Sequence, residues 1–389
     1  MSSGSQDSIL RYGDPLGFRT RIGASRPDVV GGAGDGCFRV AARAAEAQQK
    51  EGVLSEGDQG STWRLTADEG ATMNGHDIAP FPLGYLIAGV AGDLSSRLEA
   101  AAGRARVDLA GTAIDVSHTF GASGSFIHST ATATSEAASL DVALTGSLSA
   151  AAARSLLEEA MDTSPAIAFL REPARSSSFA LTINGRQRLA LGGRQSVGGD
   201  FADPFLTLKP PRPEGLQGDR AILEKPGITE IGEAPQIPFA STGKRYFTIA
   251  GRGTSLGQGR FATETWIARP GMSHFRLLSD DSPADTGPSA LGLLSTGIAF
   301  CFLTQLHRYV EAQKLAIRSP RLVQQTAFTG GADVRTEVLD THLFLNGDAP
   351  EEMHENLLNM AARTCFMHAA AAASITPAVT LRLKGELIS

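Results

Sequence analysis

Residues 80–98 read PFPLGYLIAGVAGDLSSRL, and residues 288–306 read PSALGLLSTGIAFCFLTQL. At a constant offset of 208, Pro80, Leu83, Gly84, Leu86, Gly89, Ala91 and Leu98 recur as Pro288, Leu291, Gly292, Leu294, Gly297, Ala299 and Leu306. That period is too long for a solenoid unit and has the length of a whole domain. The chain therefore reads as two fused copies of one domain, each built around a long apolar helix. The copies differ where chemistry can sit, because Cys301 in the second faces Asp93 in the first.

A second match extends the repeat. At an offset of 201, Leu144, Gly146, Leu156, Leu157, Ala160, Thr163 and Ser164 face Leu345, Gly347, Leu357, Leu358, Ala361, Thr364 and Cys365. The fall in offset makes the second hairpin seven residues shorter, and length changes belong in loops and hairpin tips. In the first half, alternation predicts strands at 37–44 and 61–67 with a long loop between them. The repeated helix follows at 83–102, then a hairpin from 107–118 and 125–144. Helices at 149–161, opened by a Ser cap, and 164–171 lead to a strand at 178–183. The second half repeats the order: strands at 246–251, 261–268 and 274–278, a helix at 289–314, and a hairpin from 321–328 and 334–345. Helices at 351–362 and 365–373 and a strand at 378–384 close it.

This organisation is the α+β class, each half a sheet packed on one long central helix. Residues 1–30 read as a mobile polar arm, 31–185 and 240–389 as the two domains, and 186–239 as a Gly/Pro-rich linker. Fusion should reproduce a two-fold pseudo-dimer inside one chain, with the long helices meeting near its axis.

Composition narrows the function. The 389 residues carry a formal charge of −6 and 42% hydrophobic residues, enough for two packed cores. No basic field is present to hold nucleic acid, and no run of eighteen apolar residues predicts a membrane span. The first residues lack the pattern of a secretory signal, so a cytoplasmic location is expected. Three cysteines do not make a disulfide framework, and eight histidines scatter without metal-ligand spacing, so no metal is expected.

In the second half, GPSALGLLSTGIAFC opens the long helix and ARTCFMHAA follows a later one. With the order of elements, this resembles the osmotically inducible protein C / organic hydroperoxide resistance (OsmC/Ohr) superfamily over 240–386 and, more weakly, 36–185. The resemblance implies a cofactor-free peroxidase acting on small organic hydroperoxides. Cys301 would attack the O–O bond, Cys365 would resolve the sulfenic acid to a disulfide, and a dithiol, lipoyl or thioredoxin-type protein would reduce it. It also implies an arginine beside the thiolate, and Arg252 in YFTIAGRG stands at a comparable Gly-rich turn. Where the family has a glutamate at the helix start, Ala290, Leu291 and Gly292 carry no carboxylate; Glu264 and Asp285 are the substitutes at hand.

Each of these residues also has a plainer reading. Cys301, in GIAFCFL, reads equally as a core cysteine unless a cation such as Arg252 or Arg308 stands close by. Cys365 reads as a small residue at a helix start capped by Thr364; the positive end of that helix alone would make it the more acidic thiol. His368, at i+3 from Cys365, offers a Cys/His pair or an ordinary helix histidine. Asp93 either pairs with Arg97 at i+4 or serves as a general base with His76 or Asp77. Cys37 reads as structural. Two other function classes therefore remain open: a cofactor-free hydrolase or lyase using Asp93 or His368, and a non-catalytic binder of small molecules.

Overall fold

The computed structural model describes residues 8–11, 13–21, 36–57, 61–188, 195–196, 203, 221–228 and 243–388. It is a mixed α+β architecture of two eight-stranded sheets and six α-helices among those residues. In the first half the strands are β1 (Phe18–Arg19), β2 (Cys37–Ala44), β3 (Lys50–Glu56), β4 (Ser61–Ala67), β5 (Leu109–Ser123), β6 (Thr132–Gly146), β7 (Ser176–Ile183) and β8 (Arg186–Arg188). The second half has β9 (Leu223–Ile228), β10 (Arg245–Gly257), β11 (Arg260–Ile267), β12 (Ser273–Asp280), β13 (Ile317–Thr329), β14 (Arg335–Gly347), β15 (Ala378–Leu383) and β16 (Glu386–Leu387). The helices are α1 (Pro82–Ala105), α2 (Ala150–Thr163), α3 (Pro165–Arg171), α4 (Ala290–Gln313), α5 (Glu351–Thr364) and α6 (Phe366–Ala372).

The two sheets run β1-β4-β3-β2-β13-β14-β7-β8 and β9-β12-β11-β10-β5-β6-β15-β16. They are the same sheet twice, with the central hairpins exchanged. This corrects the expectation that each half keeps its own sheet. The cause is the long helix. At about 1.5 Å per residue, its 24 residues carry the chain about 36 Å, from the sheet where the meander ends to the opposite sheet where the hairpin begins. Helix α1 packs on β10, β11, β12 and β5, α4 packs on β2, β3 and β13, and the two helices lie against each other between the sheets.

The repeated glycines mark the close approaches. A Cβ on Gly89 would meet Leu294 Cβ at 2.8 Å, and one on Gly297 would meet Tyr85 Cβ at 2.8 Å and the Pro82 carbonyl oxygen at 3.1 Å. Both therefore sit where α1 and α4 touch. Gly297→Ala sets helix propensity, worth about 1 kcal/mol in favour of alanine, against overpacking of about 1–3 kcal/mol. Overpacking wins because the opposing atoms are backbone and Cβ. Urea unfolding should show a net loss of about 1–2 kcal/mol.

Three sequence expectations change here. Residues 8–11 and 13–21 are no free arm: Ile9 and Phe18 are buried, Gln49 Oε1 accepts from Ile9 N at 2.8 Å, and β1 pairs with β4. The loop expected between 44 and 61 contains β3. The expected linker contributes β8 and β9, and its Ser196 and Asp203 anchor on Asp340 and Arg321. The rest of 186–239, like most of 1–30, lies outside the described residues. Helix α4 is long and apolar enough to cross a membrane, yet 94% of its apolar window is buried inside the fold.

Candidate thiol site

Strand β3, KEGVLSE, is buried along its whole length. Strand alternation sends Lys50, Gly52, Leu54 and Glu56 to one face and Glu51, Val53 and Ser55 to the other. The first set meets α4: Gly52 lies under the Phe300 ring, Leu54 against Gly292, and Glu56 accepts from Ser289 N at 3.0 Å and Ser289 Oγ at 2.5 Å. On the other face Glu51 gathers Arg43, Arg64 and Arg11. Lys50 is thus delivered to the middle of α4, where Cys301 sits.

Cys301 and Cys365 are both free and buried, and they lie close enough to interact electrostatically. Thr364 is not a cap: it ends α5, its Oγ1 donating to the Met360 carbonyl at 2.6 Å. The chain turns at Cys365, in extended conformation, before α6 begins, and this turn brings the thiol to α4. Burial and the neighbouring sulfur push the Cys365 thiol well above its ordinary range, outweighing the Met367 and His368 amides. The expected acidity of a helix-start thiol therefore yields to desolvation. Cys365 is thereby held as the neutral thiol.

Two cations reach Cys301 electrostatically, Lys50 from the first half and Arg308 from α4 itself. Lys50 Nζ donates to the Gln48 carbonyl at 2.5 Å and lies 3.7 Å from Glu69 Oε1; burial lowers its pKa, and Glu69 leads the groups opposing the drop. Glu69 accepts from Thr304 Oγ1 at 2.8 Å, and its own pKa is raised by burial against the pull of Lys50. Arg308 turns back along its helix, Nη1 donating to Gln305 Oε1 at 2.9 Å. The side chain of Gln48 is fully buried beside this group, and neither amide atom has a partner among the described residues.

These cations correct the role implied for Arg252. It lies on β10, 68% exposed, with Nε and Nη2 donating to Asp115 at 2.6 and 2.7 Å. Its flanking glycines serve packing and not a turn: a Cβ on Gly251 would lie 2.5 Å from Ile87 Cγ2, and one on Gly253 would lie 2.1 Å from the Phe261 ring. Nor do the expected substitute carboxylates join the site. Glu264 pairs with His274, and Asp285 with Arg19 and Ser61. The carboxylates that do reach α4 are Glu69 along its length, and Glu56 and Asp281 at its start.

Those last two define a pH response. Burial raises both Glu56 and Asp281 to about 7, with Asp93 adding to the effect on Asp281, which accepts from Ala290 N at 3.1 Å. A raised folded pKa stabilises fully below the unfolded value, about 4, and the gain is lost as pH rises through 7. Stability should fall between pH 5 and 8, by an amount on the order of 3 kcal/mol per carboxyl. Thermal melts of Glu56→Gln across that range should be visibly flatter than those of the unaltered protein.

The first half holds the mirror image of the thiol pair. Asp93 is buried and stands in the place of Cys301, and Ser164 in that of Cys365. Asp93 Oδ2 accepts from Ser164 Oγ at 2.5 Å and Ala166 N at 3.1 Å, while Oδ1 accepts from Arg97 Nε at 3.2 Å. His76 and Asp77 lie elsewhere, the first on Gln49 and the second on Lys225 and Ser273. His368 is wedged between the Phe179 and Phe302 rings, at 5.5 and 5.4 Å, with Thr341 Oγ1 at 3.4 Å. Cys37 is buried beside Ala327 and Val338. Among the described residues one Ser–His–Asp cluster exists, Ser196, His342 and Asp340, but His342 Nε2 faces both partners, at 2.9 and 2.8 Å. A relay needs the two ring nitrogens to serve different partners.

No family model matches the chain, and no curated protein matches it. Among solved structures, an OsmC-like hydroperoxide resistance protein from Jannaschia sp. CCS1 aligns with 35% of this chain and 93% of its own, at 18% sequence identity and a TM-score of 0.24. A likeness of that strength carries no argument; the fold is defined by its own topology, an α+β chain of two mixed sheets enclosing a pair of long helices.

Proposed function

We propose that this chain is a tandem OsmC-like thiol peroxidase that reduces small organic hydroperoxides. The observation that carries the reading is that two free, buried cysteines, Cys301 and Cys365, lie together beside Lys50 and Arg308. Cys301, as thiolate, attacks the distal oxygen of ROOH; the O–O bond breaks, ROH leaves with a proton, and the sulfur becomes a sulfenic acid. Cys365 then displaces water from that sulfur and forms the disulfide. A dithiol, lipoyl or thioredoxin-type partner returns both thiols by exchange. Lys50 and Arg308 stabilise the thiolate, and Glu69 holds Lys50 in place. The cycle suits a reducing cytoplasm and calls for no nucleic acid, membrane or metal.

Treating the protein with about one equivalent of tert-butyl hydroperoxide and mapping its peptides by mass tests this reading. A Cys301–Cys365 disulfide is expected, and in Cys365→Ser a sulfenic acid on Cys301 that dimedone traps. Two thiols that remain free and alkylatable after the oxidant would overturn it.

A further inference from the structure

The turn between β5 and β6, residues 124–131, belongs to the first half but lies on the helices that carry the second half's cysteines. The Phe126 ring centre is 4.5 Å from the Arg308 guanidinium carbon. Gln313 Nε2 donates to the Phe126 and Ile127 carbonyls at 2.7 Å each. Ser129 Oγ and Tyr309 Oη are 2.5 Å apart, and Arg363 Nε donates to the Ala131 carbonyl at 3.0 Å.

The repeat shows what this docking is for. At the offset of 208, Arg308, Tyr309 and Gln313 correspond to Ala100, Ala101 and Ala105; at 201, Arg363 corresponds to Asp162. The opposite turn, 330–334, is also shorter. The long turn and every side chain that receives it therefore accompany the cysteine pair and are missing around Asp93. Within the dock, Arg308 is fixed from two sides, by Gln305 Oε1 on its own helix and by the face of Phe126 across the half-to-half boundary.

We propose that residues 124–131 form a cap specific to the thiol site, and that Phe126 is a positioning residue that holds the Arg308 guanidinium toward Cys301 by cation–π stacking. This rests on the reading of Cys301 as the reactive thiol, but its test uses no hydroperoxide. The rate at which iodoacetamide alkylates Cys301 is followed against pH in a Cys365→Ser background, resolved by peptide mass.

Phe126→Leu keeps apolar bulk and loses the aromatic face. It should slow alkylation at neutral pH about threefold and move the profile to higher pH, whereas Phe126→Tyr should keep both. Arg308→Gln should slow alkylation at least as much, and Phe126→Leu should add nothing in that background. Should the leucine variant not melt cooperatively, Phe126→Met makes the same comparison. An unchanged rate and profile in the non-aromatic variant overturns the proposal, and so does an equal slowing with Arg308 already removed. A peroxidase failure with these results intact would leave the positioning role standing and overturn the proposed function alone.

Discussion

Under the proposed function, Cys301→Ser is expected to reduce hydroperoxide consumption at least about a thousandfold, to the level of buffer, because the substitution removes the sulfur to which that mechanism transfers the oxygen. The variant should fold. Cys301 is buried on an apolar helix face, and serine is smaller and can still meet the Cys365 thiol. Cys365→Ser behaves differently. A first turnover survives and leaves a stable sulfenic acid on Cys301, while steady turnover with a dithiol falls. Single-turnover and steady-state assays together separate the two sulfurs, and equal losses in both variants and both assays would contradict the order of attack and resolution.

Lys50→Met carries the second large effect, and it falls on stability as well as on activity. Lys50 and Glu69 form a buried pair, and removing one member strands the other, at a cost of about 3–5 kcal/mol for a charge left alone. Glu69, already raised by burial, escapes by taking a proton. The destabilisation should therefore be modest near pH 5 and should grow as pH rises and ionisation is forced. Lys50→Met/Glu69→Gln should recover most of the stability and little of the activity, because Cys301 still lacks its lysine. Urea unfolding at two pH values, combined with the double-mutant cycle, measures this. Additive losses would show that the pair is not coupled.

Periodicity was enough to place the repeated helices, both hairpins and the closing strands, because those segments alternate or recur as their structures demand. It failed at β3. Lys50, Glu51, Gly52, Ser55 and Glu56 give that strand the composition of a loop, and only burial on both faces makes it a strand. Lys50 is hidden with it. Arg252 misleads for a related reason: Gly251, which admits Ile87 of α1, and Gly253, which admits the Phe261 ring of β11, look in sequence like glycines of a turn. The exchange of hairpins leaves no local trace either, since it depends on where a long helix ends in space. Cys301 and Cys365 stand out in the sequence because the repeat lacks both in its first half; that the two lie together follows from the turn at Cys365.

Interleaving has an evolutionary consequence. Were two identical chains to build this architecture, each substitution would appear twice, and replacing one cysteine by aspartate would silence both centres. Joining the copies end to end breaks that constraint. Under the proposed function, one centre keeps its sulfur chemistry while its twin, with Asp93 tied to Ser164, Ala166 and Arg97, is free to drift into a supporting role. The silent half remains indispensable, because it supplies Lys50, Glu69 and Phe126 to its neighbour. Cutting the polypeptide between the copies should therefore yield two fragments that each lack half of the working centre and regain it only by recombining.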